Sequence, residues 1–222
     1  MKHLKEKGIN PIWLTDRINI SDIFNRNGFK SITNRKEIPA GENILWTHPM
    51  QLPIYLNLEY KDLWDGPYLK SSEEYDKKFE FINSKKLKIG IRWQGNKEYD
   101  QDLHRSLPLK DLYHILKDID ADFYSLQRDD GIEELPNFPG IIDLETKMET
   151  FEDTLSILNK MDIVITSCTS IAHASAAMGK KTFVIIPISA YYTWSHSTKQ
   201  SPWYGDNVIL IRQKRDRKST RL

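Results

Sequence analysis

Asp162-Ile-Val-Ile-Thr166, Ser167-Cys-Thr-Ser170, Ile171-Ala-His173-Ala-Ser-Ala-Ala-Met178, Gly179-Lys-Lys181, Thr182-Phe-Val-Ile-Ile-Pro187 is the stretch that decides the fold. Two β-branched runs flank a short segment of small residues that ends in a glycine. Apolar runs of that length joined by a helix predict parallel strands with a crossover, and such crossovers are right-handed. The hydroxyl-rich loop Thr166–Ser170 then lies at the carboxyl end of a strand and the amino end of a helix. Open α/β sheets bind ligands there, and the free N–H groups of a helix start favour an anion.

Working outward, the same alternation recurs on both sides. Lys88–Trp93, Asp122–Leu126, Ile141–Leu144 and Val208–Ile211 read as strands. Leu109–Lys117 reads as a helix with Leu109, Leu112, Tyr113 and Leu116 on one face. Phe151–Lys160 reads as a helix with Phe151, Leu155 and Leu158 inward. Six strands alternating with helices predict an α/β, Rossmann-like, doubly wound parallel sheet over 87–213. Residues 1–70 alternate more weakly. A helix ends at Gly8, Pro11–Leu14 and Phe29–Thr33 read as strands, Ile18–Asn27 reads as a helix, and Ile44-Leu-Trp46 is a third apolar run. This region is expected to be a partial α/β amino-terminal domain. Ser72–Asn83 predicts a connecting helix within 71–86.

The 222 residues carry 32 basic and 31 acidic side chains, a net charge of +1, which gives no electrostatic case for nucleic acid. The last residues hide an asymmetry. Arg212, Lys214, Arg215, Arg217, Lys218 and Arg221 stand against Asp216, and without them the chain would be net negative. The tail 214–222 is expected to be disordered, with at most a weak contact to an anionic membrane surface. A single cysteine excludes an internal disulfide and a Cys-rich zinc site. The cysteine usage, the lack of a long apolar run and the polar start together predict a cytoplasmic protein.

Several chemistries lose support at this stage. Gly-x-Gly-x-x-Gly follows none of the strands, no Walker loop opens a helix, and Ser170 with His173 lacks a nucleophile elbow. No His-x-x-x-His pair or calcium loop calls for a metal. What remains is a set of anion-binding groups at strand ends. Trp93, Gly95, Asn96 and Arg105 follow the first strand of the sheet, Gln127 the second, and Ser167, Thr169, Ser170 and His173 the fourth. Gly95 permits close backbone approach, and Arg105 can grip a phosphate in bidentate fashion. Spacing alone leaves a plainer reading open for each. Arg105 can be a surface cation, His173 a capping or core histidine, and the hydroxyls a helix cap.

Trp93-Gln-Gly-Asn96 followed by His104-Arg105-Ser106-Leu-Pro-Leu109 resembles a segment of bacterial glycosyltransferases linked to tetratricopeptide repeats. Phe123-Tyr-Ser-Leu-Gln127 fits their next strand. Asp162–Thr166, Thr169-Ser170-Ile-Ala-His173, Ala177-Met-Gly179 and Pro187 fit their donor-site signature, in which aspartate commonly stands where this chain has Cys168. Trp194 and Ser201-Pro-Trp-Tyr204 fit a later segment. These proteins are similar to the heptosyltransferases, glycosyltransferase family 9. The resemblance spans 88–213 well and 1–60 weakly, with Ile44–Pro53 matching the end of the amino-terminal domain.

The resemblance implies the two-domain glycosyltransferase B fold and a metal-independent, inverting transfer from a nucleotide-sugar donor, with no cofactor. It implies that Arg105, Thr169, Ser170 and His173 face the donor diphosphate. Trp93, Gly95, Asn96, Gln127 and Ser167 would lie on the nucleoside or sugar side. The acceptor, whether glycan, lipid-linked or protein, is not specified. No catalytic base is singled out; His48 and Glu59 stand on the acceptor side without a distinguishing feature. The family's first strand and glycine-rich loop have no counterpart here, nor do tetratricopeptide repeats. That leads to the expectation of a missing start to the amino-terminal domain, and to an alternative: a truncated, non-catalytic nucleotide-sugar-binding module.

Overall fold

The structure, a computed structural model, describes residues 2–41, 44–194 and 199–214. The tail beyond Lys214, with its expected disorder and membrane contact, lies outside the described residues. In chain order the elements are α1 (Lys2–Glu6), β1 (Trp13–Leu14), α2 (Ile18–Arg26), β2 (Ser31–Ile32), α3 (Leu52–Tyr55), α4 (Glu73–Lys77), β3 (Leu87–Arg92) and α5 (Asp102–Arg105). They continue with α6 (Leu109–Leu116), β4 (Ala121–Ser125), β5 (Ile141–Asp143), α7 (Phe151–Lys160), β6 (Ile163–Ser167), α8 (Ser170–Ala177), β7 (Lys181–Ile186) and β8 (Val208–Arg212).

Strands β3 to β8 form one sheet in the order β5-β4-β3-β6-β7-β8, with every neighbouring pair parallel. From β3 the chain steps outward through β4 to β5, then returns to β6 on the other side of β3. The strand order therefore reverses between β3 and β6, and the carboxyl ends of strands at such a reversal are where open α/β sheets bind ligands. Side-chain alternation along the strands divides the core in two. Ile89, Ile91 and Phe123 pack with Leu109, Leu112 and Leu116 of α6. Tyr124 and Val164 point to the opposite face and pack with Leu155 and Leu158 of α7 and Ile171 of α8. Each fully buried leucine contributes about 1.5–3 kcal/mol relative to exposure.

Helix α7 starts where a capping box permits it. The Thr150 hydroxyl accepts the Asp153 N–H at 3.2 Å, and the Asp153 carboxylate accepts the Thr150 N–H at 2.8 Å. Helix α8 is built of small residues, so it sits close to the sheet. It stops at Gly179, whose φ of +76° suits glycine, and an added Cβ there would lie 2.4 Å from Pro67 Cγ. The segment 67–69 is thus pressed onto the end of α8. Tyr68 and Leu69 donate their N–H groups to the Ala177 carbonyl at 2.9 and 3.2 Å.

The first part of the chain adds a small parallel pair, β1 with β2, joined by α2. Ile23 of α2 is buried in the same cluster as α7, and Arg26 grips the Glu152 carboxylate at 2.6 and 2.7 Å. The Ile44–Trp46 run forms no strand; Leu45 and Trp46 are 96% and 92% exposed. An apolar triplet becomes a strand only where a sheet edge offers ladder bonds and a face to bury, and β1 and β2 are two residues each. The expected helix over Ser72–Asn83 is cut to Glu73–Lys77, after which turns still carry Phe79 and Ile82 into the core. Among the described residues no helix is long and apolar enough to cross a membrane.

Candidate functional site

The exit from β3 is held by one buried amide. Gln127, fully buried, accepts the N–H groups of Trp93 at 3.1 Å and Gln94 at 3.0 Å on its Oε1. Its Nε2 donates to the Gln94 carbonyl at 3.1 Å and to the Asp130 carbonyl. All four hydrogen-bonding positions of the amide are spent on backbone. Gln127 therefore braces the loops after β3 and β4. Trp93 is likewise fully buried on the α6 face of the sheet, and its carbonyl accepts the Leu107 N–H at 3.0 Å. Asn96 is exposed, and its side-chain Oδ1 accepts the Glu98 N–H at 2.8 Å.

Arg105, at the end of α5, spans the switch point. Asp102, one helical turn earlier and buried, accepts Arg105 Nε at 2.9 Å on one oxygen and the Ser106 hydroxyl at 2.8 Å on the other. Ser106 in turn accepts the Gly95 N–H at 2.9 Å. Arg105 Nη1 reaches the other strand exit and donates to the Cys168 carbonyl at 2.9 Å. The guanidinium also lies over the Tyr99 ring, 4.6 Å from its centroid. One cation is so fixed between the ends of β3 and β6. Gly95 is needed for it: a Cβ there would lie 2.3 Å from Arg105 Nη2. Gly95→Ala is expected to displace the guanidinium and weaken anion binding about tenfold, measurable by calorimetric titration with pyrophosphate.

The β6 exit leads into α8 without a side-chain cap. Thr169, the residue before the helix, is buried, and its hydroxyl pairs with that of Thr166 at 3.2 Å. The Ser170 side of the helix start is exposed. The Ala172 N–H donates to the Thr169 carbonyl at 3.1 Å, which leaves the Ser170 and Ile171 N–H groups as the first-turn donors of α8 that can meet an anion. The Ser167 hydroxyl is buried without a hydrogen-bond partner. Cys168 accepts the Trp194 indole N–H on its sulfur at 2.9 Å, and burial raises its thiol pKa, so it stays protonated at neutral pH.

His173 belongs to an aromatic cluster. Its ring stacks on Trp194 at 4.7 Å between centroids, and its Nδ1 lies 2.8 Å from the Tyr204 hydroxyl. Burial lowers its pKa to about 4. It is neutral at pH 7 and brings no positive charge to an anion. The neutral form is favoured by folding, so the stabilisation is complete above the unfolded value of about 6.5 and is lost as pH falls towards 4. Stability is expected to drop by about 3 kcal/mol over that window through this residue, and the drop should vanish in His173→Phe on urea denaturation at several pH values.

Arg105, Gly95 and the Thr169 and Ser170 helix start lie together between the ends of β3 and β6, while Trp93 and Gln127 hold the loops after β3 and β4 and His173 packs in the aromatic cluster. Three residues of the region were not singled out by sequence: Arg92, Asp102 and Arg128. Arg92 and Asp102 each carry a signal in the sequence, and Arg128 carries none. Arg92 closes an otherwise apolar strand, and Asp102 stands three residues before Arg105, within reach on one helical turn. Among the described residues no group of three or more His, Cys, Asp or Glu is placed to hold a metal.

A parallel six-stranded sheet whose strand order reverses between β3 and β6 defines a Rossmann-like domain. The fold is shared with the solved E. coli ADP-heptose LPS heptosyltransferase II, at a TM-score of 0.50 and 14% identity over 94% of this chain and 70% of that one. The E. coli heptosyltransferase WaaC with ADP superposes at a TM-score of 0.46 and 12% identity, over 95% of this chain and 69% of that one. No family model matches the sequence. No curated protein matches it.

Proposed function

We propose that this chain binds a nucleotide-sugar at the β3/β6 crevice and acts as a metal-independent, inverting glycosyltransferase. The observation that carries this is Arg105, fixed by Asp102 and the Cys168 carbonyl beside Gly95 and the uncapped start of α8. A guanidinium and a helix N-terminus converging on one crevice are the donors that a leaving nucleoside diphosphate needs as charge develops on it. A solved structure with this fold is by its name an ADP-heptose LPS heptosyltransferase, which makes ADP the first ligand to try and a heptose the first sugar. The catalytic base and the acceptor are left unassigned. His48 is engaged in capping its own turn and Glu59 pairs with Lys61 at 2.7 Å.

Calorimetric titration of the intact chain with ADP, UDP and GDP tests the reading. Binding of one of them in the micromolar to millimolar range, about −8 to −4 kcal/mol, is expected. No binding of any of the three contradicts it. A second reading is a binding module without turnover, supported by the size of the first sheet, whose two strands are two residues each. Donor binding with neither transfer nor hydrolysis favours that reading; sugar transfer by the 222-residue chain removes it.

A further inference from the structure

Arg92, the last residue of β3, is a second arginine at the same sheet edge. Its guanidinium is aimed by two carbonyls: Nε donates to Gln94 at 3.2 Å and Nη1 to Leu126 at 3.3 Å. Among the described residues no carboxylate lies within ion-pairing distance of it. It lines a cavity of about 250 Å3 with Gly95, Asn96, Arg128, Asp129 and Asp130. Gly95 is common to this cavity and to the Arg105 group, since it is the residue against which Arg105 Nη2 rests.

A partly buried cation is costly unless an opposite charge meets it. Burial lowers the Arg92 pKa; Asp129 opposes that effect, and Arg105 and Arg128 add to it. The carboxylates of the cavity do not cancel the charge. Asp130 is taken up by Lys97, accepting its N–H at 2.9 Å and standing 3.6 Å from its ammonium. Asp129 is exposed at the rim and sits 4.0 Å from Arg128 Nε. Arg128 is itself steadied by the Met148 carbonyl at 2.8 Å. The arrangement is an arginine pre-oriented towards an open cavity, near Asp129 but in an ion pair with no carboxylate among the described residues.

We propose that Arg92, with Arg128 at the rim, is a second anion-binding position of the nucleotide site, holding one phosphate of a diphosphate while Arg105 holds the other. This rests on the reading of the crevice as a nucleotide-diphosphate site and adds a selectivity: the site takes a diphosphate in preference to a single phosphate. Two guanidinium groups that both border Gly95 suit two linked phosphates, each arginine offering its planar fork to one of them. A single phosphate engages one arginine and leaves the other unmatched.

The test is titration of the intact chain with pyrophosphate and with orthophosphate, alongside ADP, UDP and GDP. The unaltered protein is expected to bind pyrophosphate more tightly than orthophosphate. Arg92→Gln should lower pyrophosphate affinity about tenfold and leave orthophosphate affinity within about twofold. Pyrophosphate affinity unchanged in a folded Arg92→Gln overturns the inference while the nucleotide reading stands. Failure of the unaltered chain to bind pyrophosphate or any of the three nucleotides overturns the nucleotide reading instead. Should Arg92→Gln not fold, Arg128→Gln, on an exposed side chain, is expected to weaken pyrophosphate about threefold; no change in that variant also overturns the inference.

Discussion

Arg105→Ala is expected to raise the Kd for a nucleoside diphosphate about a hundredfold and to change the affinity for the parent nucleoside less than about threefold. The size follows from what the guanidinium does. It is the cation bonded to both strand exits at the switch point, to Asp102 by Nε and to the Cys168 carbonyl by Nη1. Its removal takes a charge-assisted donor from the crevice and leaves the buried Asp102 carboxylate without its ion-pair partner. The second effect lowers stability, so the variant must be compared with Arg105→Lys, which keeps a cation but loses the planar fork. Lysine is expected to restore part of the diphosphate affinity, since a point charge still attracts phosphate. Equal weakening of diphosphate and nucleoside in Arg105→Ala would remove Arg105 from the phosphate site.

The second large effect is on stability. Gln127→Leu keeps the volume of the side chain at a fully buried position. It leaves the Trp93 and Gln94 N–H groups and the Gln94 and Asp130 carbonyls without the amide that serves them. Unsatisfied buried groups cost about 1–3 kcal/mol each, so a loss of about 4 kcal/mol is expected after partial relaxation. Domains are stable by about 5–15 kcal/mol, so that loss takes a large share. Urea denaturation should show a lower midpoint with an unchanged slope. Gln127→Glu should be intermediate, because its carboxylate still accepts the two N–H groups but donates to neither carbonyl. A loss under about 1 kcal/mol in Gln127→Leu would mean that water replaces the amide and that the loops are not braced by it.

These two residues mark what the sequence makes legible and what it does not. The βαβ unit from Asp162 to Pro187 is readable because its information is local: β-branched runs, small residues and a glycine in chain order. The Phe151–Lys160 helix is readable for the same reason, since its apolar spacing coincides with the buried Leu155 and Leu158. Arg105 is readable as a candidate because strand ends are where such sheets bind ligands. Gln127 is different. A polar residue at a strand end suggests a ligand contact, but three of its four backbone bonds go to Trp93 and Gln94, more than thirty positions away, and nothing local announces them. Trp93 and His173 follow the same rule: the resemblance sets one on the nucleoside or sugar side and the other against the diphosphate, yet burial and stacking are decided by the packing of the sheet's α6 face and by Trp194 and Tyr204. Arg92 is obscure for the reverse reason, because a charge ending an apolar strand reads as its solvated tip. Ile44–Trp46 shows the limit of composition, since apolar residues without a sheet edge to join do not become a strand.

The central claim is that a nucleoside diphosphate sits between Arg105 and the start of α8, at the reversal between β3 and β6. The measurement that tests it most directly is a crystal structure of the intact chain soaked with whichever of ADP, UDP and GDP binds most tightly. The expected result places the diphosphate within hydrogen-bonding distance of Arg105 and of the first-turn N–H groups of α8, beside Gly95. A nucleotide bound elsewhere on the molecule, with Arg105 still closed on Asp102 and the Cys168 carbonyl and no phosphate near it, would contradict the account.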